Sequence, residues 1–427
     1  MKKIITLSIL LFLMIALSSC SGGTSIECEE IDGGYKVTDI YAKGSSVTIP
    51  SSYNGRPVLE IADYALCDNE KITSVTISEG VEKIGKEFLT SCRKLKSLKL
   101  PSTLREIDDN FLYDVPHVTK IDVTEGGKYT SVDGVLYTSD MKCLVRFPAG
   151  KNIKVFDVPG GITEISNDAF SGAVYIERVA ISNSVRKLGD SSFYACEKLK
   201  SVYMSQATES IGKYAFADCY LLREIEIPDE VVTIGESAFT WCESIENISI
   251  GKKLSAIGKK VFVGCSSLRN IDVSEENESF ATLDGHLVSK DRKIFYQCAY
   301  ARYNTLLAIP QGVERIVSFS CYENKVITTI VIPDSVVTIE DEAFASCDSL
   351  TNVSVGSGAK YIGFYAFQGR SLDMMTFSSP EGWEYSKNVG FTKDVYPITL
   401  DKHPADNADY FKDTGYAFRK TSSVPIP

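Results

Sequence analysis

A pattern of four residue types recurs every 23 residues between Leu188 and Cys265. In each copy an isoleucine or leucine precedes a glycine, a phenylalanine follows five residues after the aliphatic residue, and a cysteine follows three residues later. A fixed period of this length predicts a solenoid, because each turn buries its apolar face only against its neighbours. The columns are Leu188, Ile211, Ile234, Ile257; Gly189, Gly212, Gly235, Gly258; Phe193, Phe216, Phe239, Phe262; and Cys196, Cys219, Cys242, Cys265.

A short alternating pattern, Leu-x-x-Ile-x-Ile, follows each cysteine, as at Leu222–Ile227. Alternating apolar residues are typical of a strand with one buried face. Strands one period apart must then lie parallel, about 4.7–4.9 Å from their neighbours. The segment with the phenylalanine, which we call the return leg, leads the chain back to the next strand. The sequence therefore predicts an α/β repeat solenoid with one long parallel sheet and short return helices or turns.

Two turns of the repeat are longer than the others. The spacing is 58 residues from Ile107 to Ile165 and 59 from Ile257 to Ile316, more than two periods in each case. Both long turns contain Asp-Gly before alternating apolar residues, followed by a charged turn and a second apolar run. Asp-Gly in this setting is a strong hairpin signal. We therefore predict inserted β-hairpins near 129–150 and 280–300.

The N-terminal residues 1–19 have the charged start and apolar run of an export signal. The sequence Leu17-Ser-Ser-Cys20 resembles a bacterial lipobox, in which Cys20 becomes the lipid-modified first residue. The alternative is an ordinary cleaved signal with an incidental cysteine. Acyl chains contribute about 0.8 kcal/mol per buried CH₂, so a multiply acylated Cys20 would hold the protein on a membrane. We expect an exported protein, lipid-anchored to the bacterial envelope and surface-exposed on the outer membrane.

The remaining boundaries follow from where the period holds. We predict a tether at 20–26, an N-terminal cap at 27–66, the repeat solenoid at 67–377 and a C-terminal cap at 378–427. The last segment is rich in aromatic residues and does not repeat. It is interpreted as a cover for the open end of the stack, with a separate ligand module as the alternative.

Charge and motif content exclude several functions. The formal net charge is −11, so the chain repels phosphate backbones and nucleic-acid binding is not expected. There are three scattered histidines and no Gly-x-Ser-x-Gly, His-Glu-x-x-His, phosphate-binding loop or EF-hand spacing. We therefore expect no catalytic residues and no cofactor.

The twelve cysteines contain no Cys-x-x-Cys pair, so no metal site is predicted. Cys92 stands one residue out of place, and six cysteines follow a phenylalanine in the repeat column: Cys196, Cys219, Cys242, Cys265, Cys321 and Cys347. They are interpreted as small buried fillers, with disulfides between neighbouring turns as the alternative.

The outward positions of the predicted strands are polar, small and of mixed charge. They form either a recognition surface for a macromolecule or a solvated sheet face, and composition alone does not choose between the two. The candidate ligand surface consists of Lys99, Lys120, Arg178, Tyr203, Glu226, Asn247, Asn270 and Asp272.

The return leg Ile234-Gly-Glu-Ser-Ala-Phe-Thr-Trp-Cys242 and the strand Ile330-Val-Ile-Pro333 resemble the BspA-like (Treponema pallidum-type) leucine-rich repeat proteins of bacteria. The inserted Asp133-Gly-Val-Leu-Tyr hairpin and the ending at Asn407-Ala-Asp-Tyr-Phe-Lys are also similar. The resemblance covers residues 35 to 420. It implies a leucine-rich-repeat stack and a bacterial surface protein, some of whose relatives are adhesins, and it carries over no catalytic residues.

Three functions remain to be compared. The first is a lipid-anchored binding protein that recognises a protein or glycan of a host or neighbouring cell through its sheet face or hairpin loops. The second is a structural envelope scaffold without a soluble ligand, and the oligomeric state is undetermined for both. The third, an enzyme acting on surface polymers, needs a cleft with clustered carboxylates, and a smooth face at Asp122, Glu226 and Asp272 would remove it.

Overall fold

The computed structural model describes residues 18–20, 24–301, 305–387, 395–398, 400, 403–412 and 415–421, with side chains from residue 24 onward. Residues 1–17 of the predicted export signal, which covers residues 1–19, lie outside the described part of the chain. The chain divides into two compact units, Met1–Ser139 (unit 1) and Asp140–Pro427 (unit 2).

Unit 1 consists of short strands connected by turns. They are β1 (Ser18–Cys20), β2 (Thr24–Ile31), β3 (Gly34–Ala42), β4 (Ser46–Ile49), β5 (Ser52–Tyr53), β6 (Arg56–Ile61), β7 (Leu66–Cys67), β8 (Ser74–Ile77), β9 (Lys83–Ile84), β10 (Leu89–Thr90), β11 (Ser97–Leu100), β12 (Glu106–Ile107), β13 (Leu112–Tyr113), β14 (Lys120–Val123), β15 (Tyr129–Val132) and β16 (Val135–Thr138).

Three parallel ladders wind through unit 1. The sheet whose polar side chains face outward, called the outward sheet, has the order β14-β11-β8-β4. The return legs pair as β13-β10-β7, and a third ladder runs from β3 through β6 and β9 to β12. Ser74 pairs with Ser97 and Ser97 with Lys120, so each strand is displaced by one repeat from its neighbour. The antiparallel pair β2–β3 precedes the stack.

The first turn of the stack begins earlier than the predicted boundary at residue 67. Strand β4 lies within the predicted N-terminal cap, yet Val47 pairs in register with Val75 of β8. Strand β2 begins within the predicted tether at 20–26, and its Ile26 is fully buried. Sequence periodicity misses both features because these segments depart from the consensus spacing.

Unit 2 continues with strands and one helix. They are β17 (Cys143–Arg146), β18 (Val155–Asp157), β19 (Glu164–Ile165), β20 (Arg178–Ala180), β21 (Lys187–Leu188), β22 (Ser201–Tyr203), β23 (Ser210–Ile211), β24 (Glu224–Ile227), β25 (Thr233–Ile234), β26 (Asn247–Ile250), β27 (Ala256–Ile257), β28 (Asn270–Val273), β29 (Phe280–Leu283), β30 (His286–Ser289), β31 (Ile294–Gln297), β32 (Leu306–Ala308), β33 (Arg315–Ile316), β34 (Thr329–Ile332), β35 (Thr338–Ile339), β36 (Asn352–Val355), β37 (Tyr361–Ile362), β38 (Met374–Phe377), β39 (Trp383–Ser386), β40 (Val395–Ile398), α1 (Pro404–Lys412) and β41 (Ala417–Lys420).

The solenoid fold is confirmed in unit 2, where every turn contributes one strand to each of two parallel ladders. The outward sheet β18-β20-β22-β24-β26-β28 presents polar residues, and the ladder that includes β19-β21-β23-β25-β27 lies before each return leg. Between the ladders the described return legs are turns and not helices. Of the two predicted forms of the return leg, a short helix or a turn, the described legs have the turn.

A stack of phenylalanine rings fills the interior of unit 2. Phe170, Phe193, Phe216, Phe239 and Phe262 are fully buried, and consecutive ring centroids are 4.7, 5.0, 5.2 and 5.7 Å apart with interplanar angles of 18° or less. Stacked aromatic pairs contribute beyond the area they bury. For these five turns the prediction that one phenylalanine per turn fills the interior is confirmed. In the turn that begins at Ile316 the same position belongs to Cys321, whose N–H donates to Ala343 O and whose carbonyl accepts from Cys347 Sγ, so the prediction that Cys321 is in the cysteine column is wrong.

The repeat cysteines are thiols that bond to the preceding turn. Cys219 Sγ donates to Phe193 O at 3.2 Å, and Cys242 Sγ to Phe216 O at 3.1 Å. Cys92 makes the same contact in unit 1, with Leu66 O at 3.6 Å and the same 26-residue separation. The prediction that Cys92 is out of place is therefore wrong. The phenylalanine before it is the residue that is shifted.

Each inserted hairpin turns at Asp-Gly, as predicted. In the second insertion β30 also pairs antiparallel with β31, so the paired strands occupy nearly the whole of the predicted range 280–300. The first is β15–β16, with left-handed φ values of 50° at Asp133 and 78° at Gly134. The second is β29–β30, with 49° at Asp284 and 75° at Gly285. These values fit the two-residue turn that matches strand twist.

The hairpins occupy the edges of the outward sheets. In unit 1, Ile121 N–H of β14 donates to Gly134 O at 2.9 Å, and in unit 2, Ile271 N–H of β28 donates to Gly285 O at 3.0 Å. These bonds take the positions that a further parallel strand would need. The single long sheet of the prediction is therefore wrong in detail: unit 1 has a four-stranded outward sheet, and unit 2 has sheets of six and four strands.

The C-terminal segment packs on the last turn of unit 2. Strand β41 pairs antiparallel with β37, and Asn407 Nδ2 of α1 donates to Met375 O of β38 at 3.0 Å. Phe411 lies 5.8 Å from Phe377 between ring centroids, and Trp383 is 2% exposed. Within the described residues no helix is long and apolar enough to cross a membrane.

Candidate ligand-binding sheet faces

The outward sheet of unit 1 carries two of the predicted ligand-surface residues. Lys99 lies on β11 and Lys120 on β14, and both are exposed. Lys99 pairs in register with Asp122, and Lys120 Nζ is 2.7 Å from Asp122 Oδ2. Of these two cations, Lys120 is therefore already paired with a carboxylate, and Lys99 lies on the strand next to that carboxylate.

The outward sheet of unit 2 carries the other six predicted residues. Arg178 and Asn247 are exposed, Asn270 is half-buried, and Tyr203 has 60% of its surface exposed. Asn247 pairs directly with Asn270, and Ser249, between Glu226 and Asp272, pairs with both. The structure thus brings Glu226, Ser249 and Asp272 into one row across three adjacent strands, because the 23-residue step repeats without a shift.

This row forms one side of a depression of about 510 Å³, which we call the sheet depression. Polar residues from the strands and from the turns after them line it. The polar lining residues used below are Gln206, Glu226, Asp229, Ser249, Asp272 and Glu275.

Asp229 is held ionised at the rim of the sheet depression. Its Oδ1 accepts a hydrogen bond from Lys252 N–H at 3.2 Å, and its Oδ2 lies 3.4 Å from Lys252 Nζ. The backbone hydrogen bond and, to a smaller extent, the lysine charge lower the pKa of Asp229. The depression therefore stays negatively charged over the whole neutral range.

The sequence did not identify the turn residues Gln206, Asp229 and Glu275 as part of the surface. Asp229 stands two residues after the end of β24 and Glu275 two residues after the end of β28, outside the alternating pattern of the strands. The repetition of an acidic residue shortly after β24 and again after β28 is the signal that points to them.

A smooth face at Glu226 and Asp272 would have excluded the alternative of an enzyme that acts on surface polymers. The face there is instead a depression with clustered carboxylates, so that alternative is not excluded. In the part of the chain that the structure describes, no group of three or more His, Cys, Asp or Glu residues has the arrangement of a metal site. The side chain of Cys20 lies outside the described residues, so the lipid site stays a prediction.

Comparison with known proteins identifies the repeat. The sequence profile of the BspA type leucine rich repeat region matches six copies within residues 43–140, 163–298 and 315–392. No curated protein matches the chain.

Several solved structures are similar to parts of it. A leucine rich cell surface protein from Faecalibacterium prausnitzii A2-165 is 18% identical over 61% of this chain and 95% of that one, with a TM-score of 0.39. The pneumococcal vaccine antigen PcpA is 17% identical over 71% and 94%, with a TM-score of 0.42. The leucine rich repeat protein of T. pallidum is 21% identical over 57% and 87%, with a TM-score of 0.27. Because the repeat profile matches most of the residues, the chain belongs to the BspA type leucine-rich repeat family.

Proposed function

We propose that this protein is a cell-surface lipoprotein that binds a protein partner with a basic surface through the outward sheet of unit 2. The sheet depression is the observation that carries the proposal. It contains Glu226 and Asp272 in one row, and the exposed Tyr203 lies on β22, the strand that pairs with β24. A large aromatic side chain next to charged residues is typical of binding hot spots.

The charge of this sheet favours a basic partner. Four exposed carboxylates stand on the outward positions of β18–β28, together with the single guanidinium of Arg178. Complementary charge speeds encounter and excludes acidic partners more than it adds affinity. The four carboxylates are Asp157, Glu224, Glu226 and Asp272.

A binding screen with matched variants tests the proposal. The exported chain is immobilised and matrix proteins are passed over it at low and physiological salt. We expect at least one basic protein to bind, with faster association at low salt. Glu226→Gln/Asp272→Asn should slow association, and Tyr203→Ala should speed dissociation.

The control is Glu236→Gln/Glu243→Gln, which removes the same charge from exposed return-leg positions of the same unit. Equal loss in both double variants would mean that net charge, and not the sheet depression, determines binding. Absence of binding across the whole panel would contradict adhesion, and in-cell cross-linking to envelope proteins would then support the scaffold alternative.

Lipid attachment at Cys20 and surface exposure are a separate part of the proposal. Their support is the lipobox-like sequence and the family assignment. In cells fed a labelled fatty acid we expect label on the wild-type protein and none on Cys20→Ala, since the thiol that carries the acyl chain is lost. Equal labelling of Cys20→Ala and the wild-type protein, or no label on the wild-type protein, would contradict this assignment.

A further inference from the structure

A second depression of unit 2 lies on the return legs and shares no lining residue with the sheet depression. Its volume is about 460 Å³, and we call it the return-leg depression. Nothing in the proposed function uses it. The lining residues that matter below are Trp241, Glu323, Lys325, Asp348, Gln368 and Arg370.

Trp241 stands at a position where the fold requires a left-handed backbone. Its φ is 60°, and the equivalent residue one turn later is Gly264, with φ 76°. A bulky side chain in this region of backbone space is uncommon and glycine is relaxed there. The chain therefore carries an indole at a position where the backbone alone would favour glycine.

The Trp241 indole packs against the next turn at Gly264, which has no side chain. A Cβ on Gly264 would stand 2.7 Å from Cδ2 and Cε3 of Trp241, so the ring lies across the bare backbone of the next turn. Trp241 is half-buried, so part of its surface stays open to solvent at the wall of the depression. This arrangement offers a flat apolar surface on a rigid support.

A buried carboxylate oxygen stands on the other side of the depression. Oε2 of Glu323 is buried and, among the described residues, has no hydrogen-bond partner. Burial raises the pKa of Glu323, and the charge of Lys325 and a hydrogen bond between the carboxylate and the Tyr322 side chain oppose that rise. A buried polar atom without a partner is costly. The Glu323 side chain also lines the depression, so its carboxylate is placed to accept a hydrogen bond from a ligand hydroxyl.

The charges of the return-leg depression balance. Glu323 and Asp348 supply two carboxylates, Lys325 and Arg370 supply two cations, and Gln368 supplies an amide that both donates and accepts. A net charge of zero gives no advantage to an anion or a cation. Many donors and acceptors beside one aromatic surface suit a neutral ring that has an apolar C–H face and a rim of hydroxyls.

We propose that the return-leg depression binds a neutral sugar residue of a glycan, with its C–H face on Trp241 and its hydroxyls on Glu323 and Gln368. Stacking on the indole gives the orientation, and the sugar hydroxyls donate to the Glu323 carboxylate and to the side-chain oxygen of Gln368. The site is independent of the protein-binding sheet of the proposed function.

Tryptophan fluorescence reports this site with little background. The chain has two tryptophans, and the other, Trp383, is 2% exposed in the C-terminal segment. The exported chain is titrated with neutral oligosaccharides of glucose, galactose, mannose, xylose and N-acetylglucosamine, each up to about 10 mM. We expect a saturable fluorescence change with at least one of them, and the same change in Trp383→Phe.

The affinity for that oligosaccharide is then measured by calorimetry in variants. Trp241→Gly should weaken binding about tenfold or more while the fold is kept, since glycine relaxes the left-handed position. Glu323→Gln should weaken it less because the amide keeps one acceptor. Tyr203→Ala, on the sheet face, should not change it, so failure here is distinguishable from failure of the protein-binding proposal.

Three results would overturn the proposal: no binding to any member of the panel, an unchanged affinity in Trp241→Gly, or binding only of sialylated or sulfated oligosaccharides added as a charged set. Retention of the native circular dichroism spectrum in Trp241→Gly is required alongside. A variant that unfolds is replaced by Trp241→Ser, for which the equivalent Ser346 shows that the column accepts serine.

Discussion

The return legs of units 1 and 2 share a backbone but differ in the side chain that fills the interior. Leu66 N–H donates to Phe88 O at 3.0 Å in unit 1, and Phe193 N–H donates to Ala215 O at 2.7 Å in unit 2. The same position on the leg is thus leucine in one unit and phenylalanine in the other. In unit 2 the rings stack, whereas in unit 1 the legs form the ladder β7-β10-β13 with buried leucines.

A shift of one residue accounts for the difference. Counted from the isoleucine column, Phe88 is one position earlier on its leg than Phe193 is, while the cysteines keep their place. Both legs have left-handed residues at equivalent positions, such as Ser91 and Ala195. The backbone of this solenoid is therefore set by its glycines, turns and hydrogen bonds, and it accepts two different ways of filling the core.

The largest effect that separates the two units is removal of a stacked ring. Phe216→Ala leaves a cavity between Phe193 and Phe239 and should reduce the free energy of unfolding by about 3–5 kcal/mol. Leu89→Ala in unit 1 should cost about 2–4 kcal/mol, because no aromatic stack is lost. Urea unfolding followed by circular dichroism measures both. A larger loss for Leu89→Ala would break the comparison.

The next largest effect on stability is expected when the phenylalanine of a unit 1 return leg is moved from position 88 to position 89. Leu89→Phe places a ring between Leu66 and Leu112 and should cost about 1–3 kcal/mol by overpacking. Phe88→Ala/Leu89→Phe reproduces the order of unit 2 and frees volume nearby. The double variant should therefore lose less stability than the sum of the single ones. If the stability losses of the two single variants add up to that of the double variant, the side chains at positions 88 and 89 do not compete for the same volume.

Alkaline stability should depend on the buried thiols of unit 2. Burial raises the pKa of Cys265 to about 12, from about 8.5 in an unfolded chain. Since the folded protein holds this proton more tightly, the contribution is present below about pH 8.5 and is lost as the pH rises towards 12. Cys265→Ala should show a shallower decline of the urea midpoint between these limits.

Cys67 in unit 1 is the matched control for the thiol experiment. It is only partly buried, and its pKa is raised by that burial with hydrogen bonds from Thr90 opposing the rise. Cys67→Ala should leave the alkaline decline almost unchanged. In the native protein a thiol reagent should modify Cys67 well before Cys265. Simultaneous modification of both would mean that the core of unit 2 opens freely.

The sequence predicts the periodic part of this fold because each apolar column imposes one position per turn. The Asp-Gly pairs also predict both hairpins, since two successive left-handed residues need such a pair. The sequence does not predict that the hairpins end the outward sheets. That depends on hydrogen bonds such as the one from Ile271 N–H to Gly285 O, and only the folded turn brings these two groups together.

The candidate sites were predicted less completely than the fold. The row of Glu226 and Asp272 follows from the strand columns, since register is fixed by the period. The turn residues that complete the sheet depression and the indole over Gly264 do not, because they depend on which neighbouring turn lacks a side chain. A non-repeating residue in a repeating column, such as Trp241, is the pattern that would have marked the second site.

The smallest effect is expected from the ion pairs that connect neighbouring turns on the surface. Lys83 pairs with Glu106 at 2.9 Å in unit 1, and Arg186 pairs with Glu209 at 2.5 Å in unit 2. All four side chains are exposed, so solvent and salt screen the attraction and the ordering of long side chains offsets it.

Glu106→Gln and Glu209→Gln should therefore shift the urea midpoint by amounts too small to resolve, equally in both units and at both low and high salt. This result sharpens the comparison, because it locates the difference between the units in the core of the return legs. A clear, salt-dependent loss in only one variant would mean that surface charge, and not the shifted phenylalanine, distinguishes the two units.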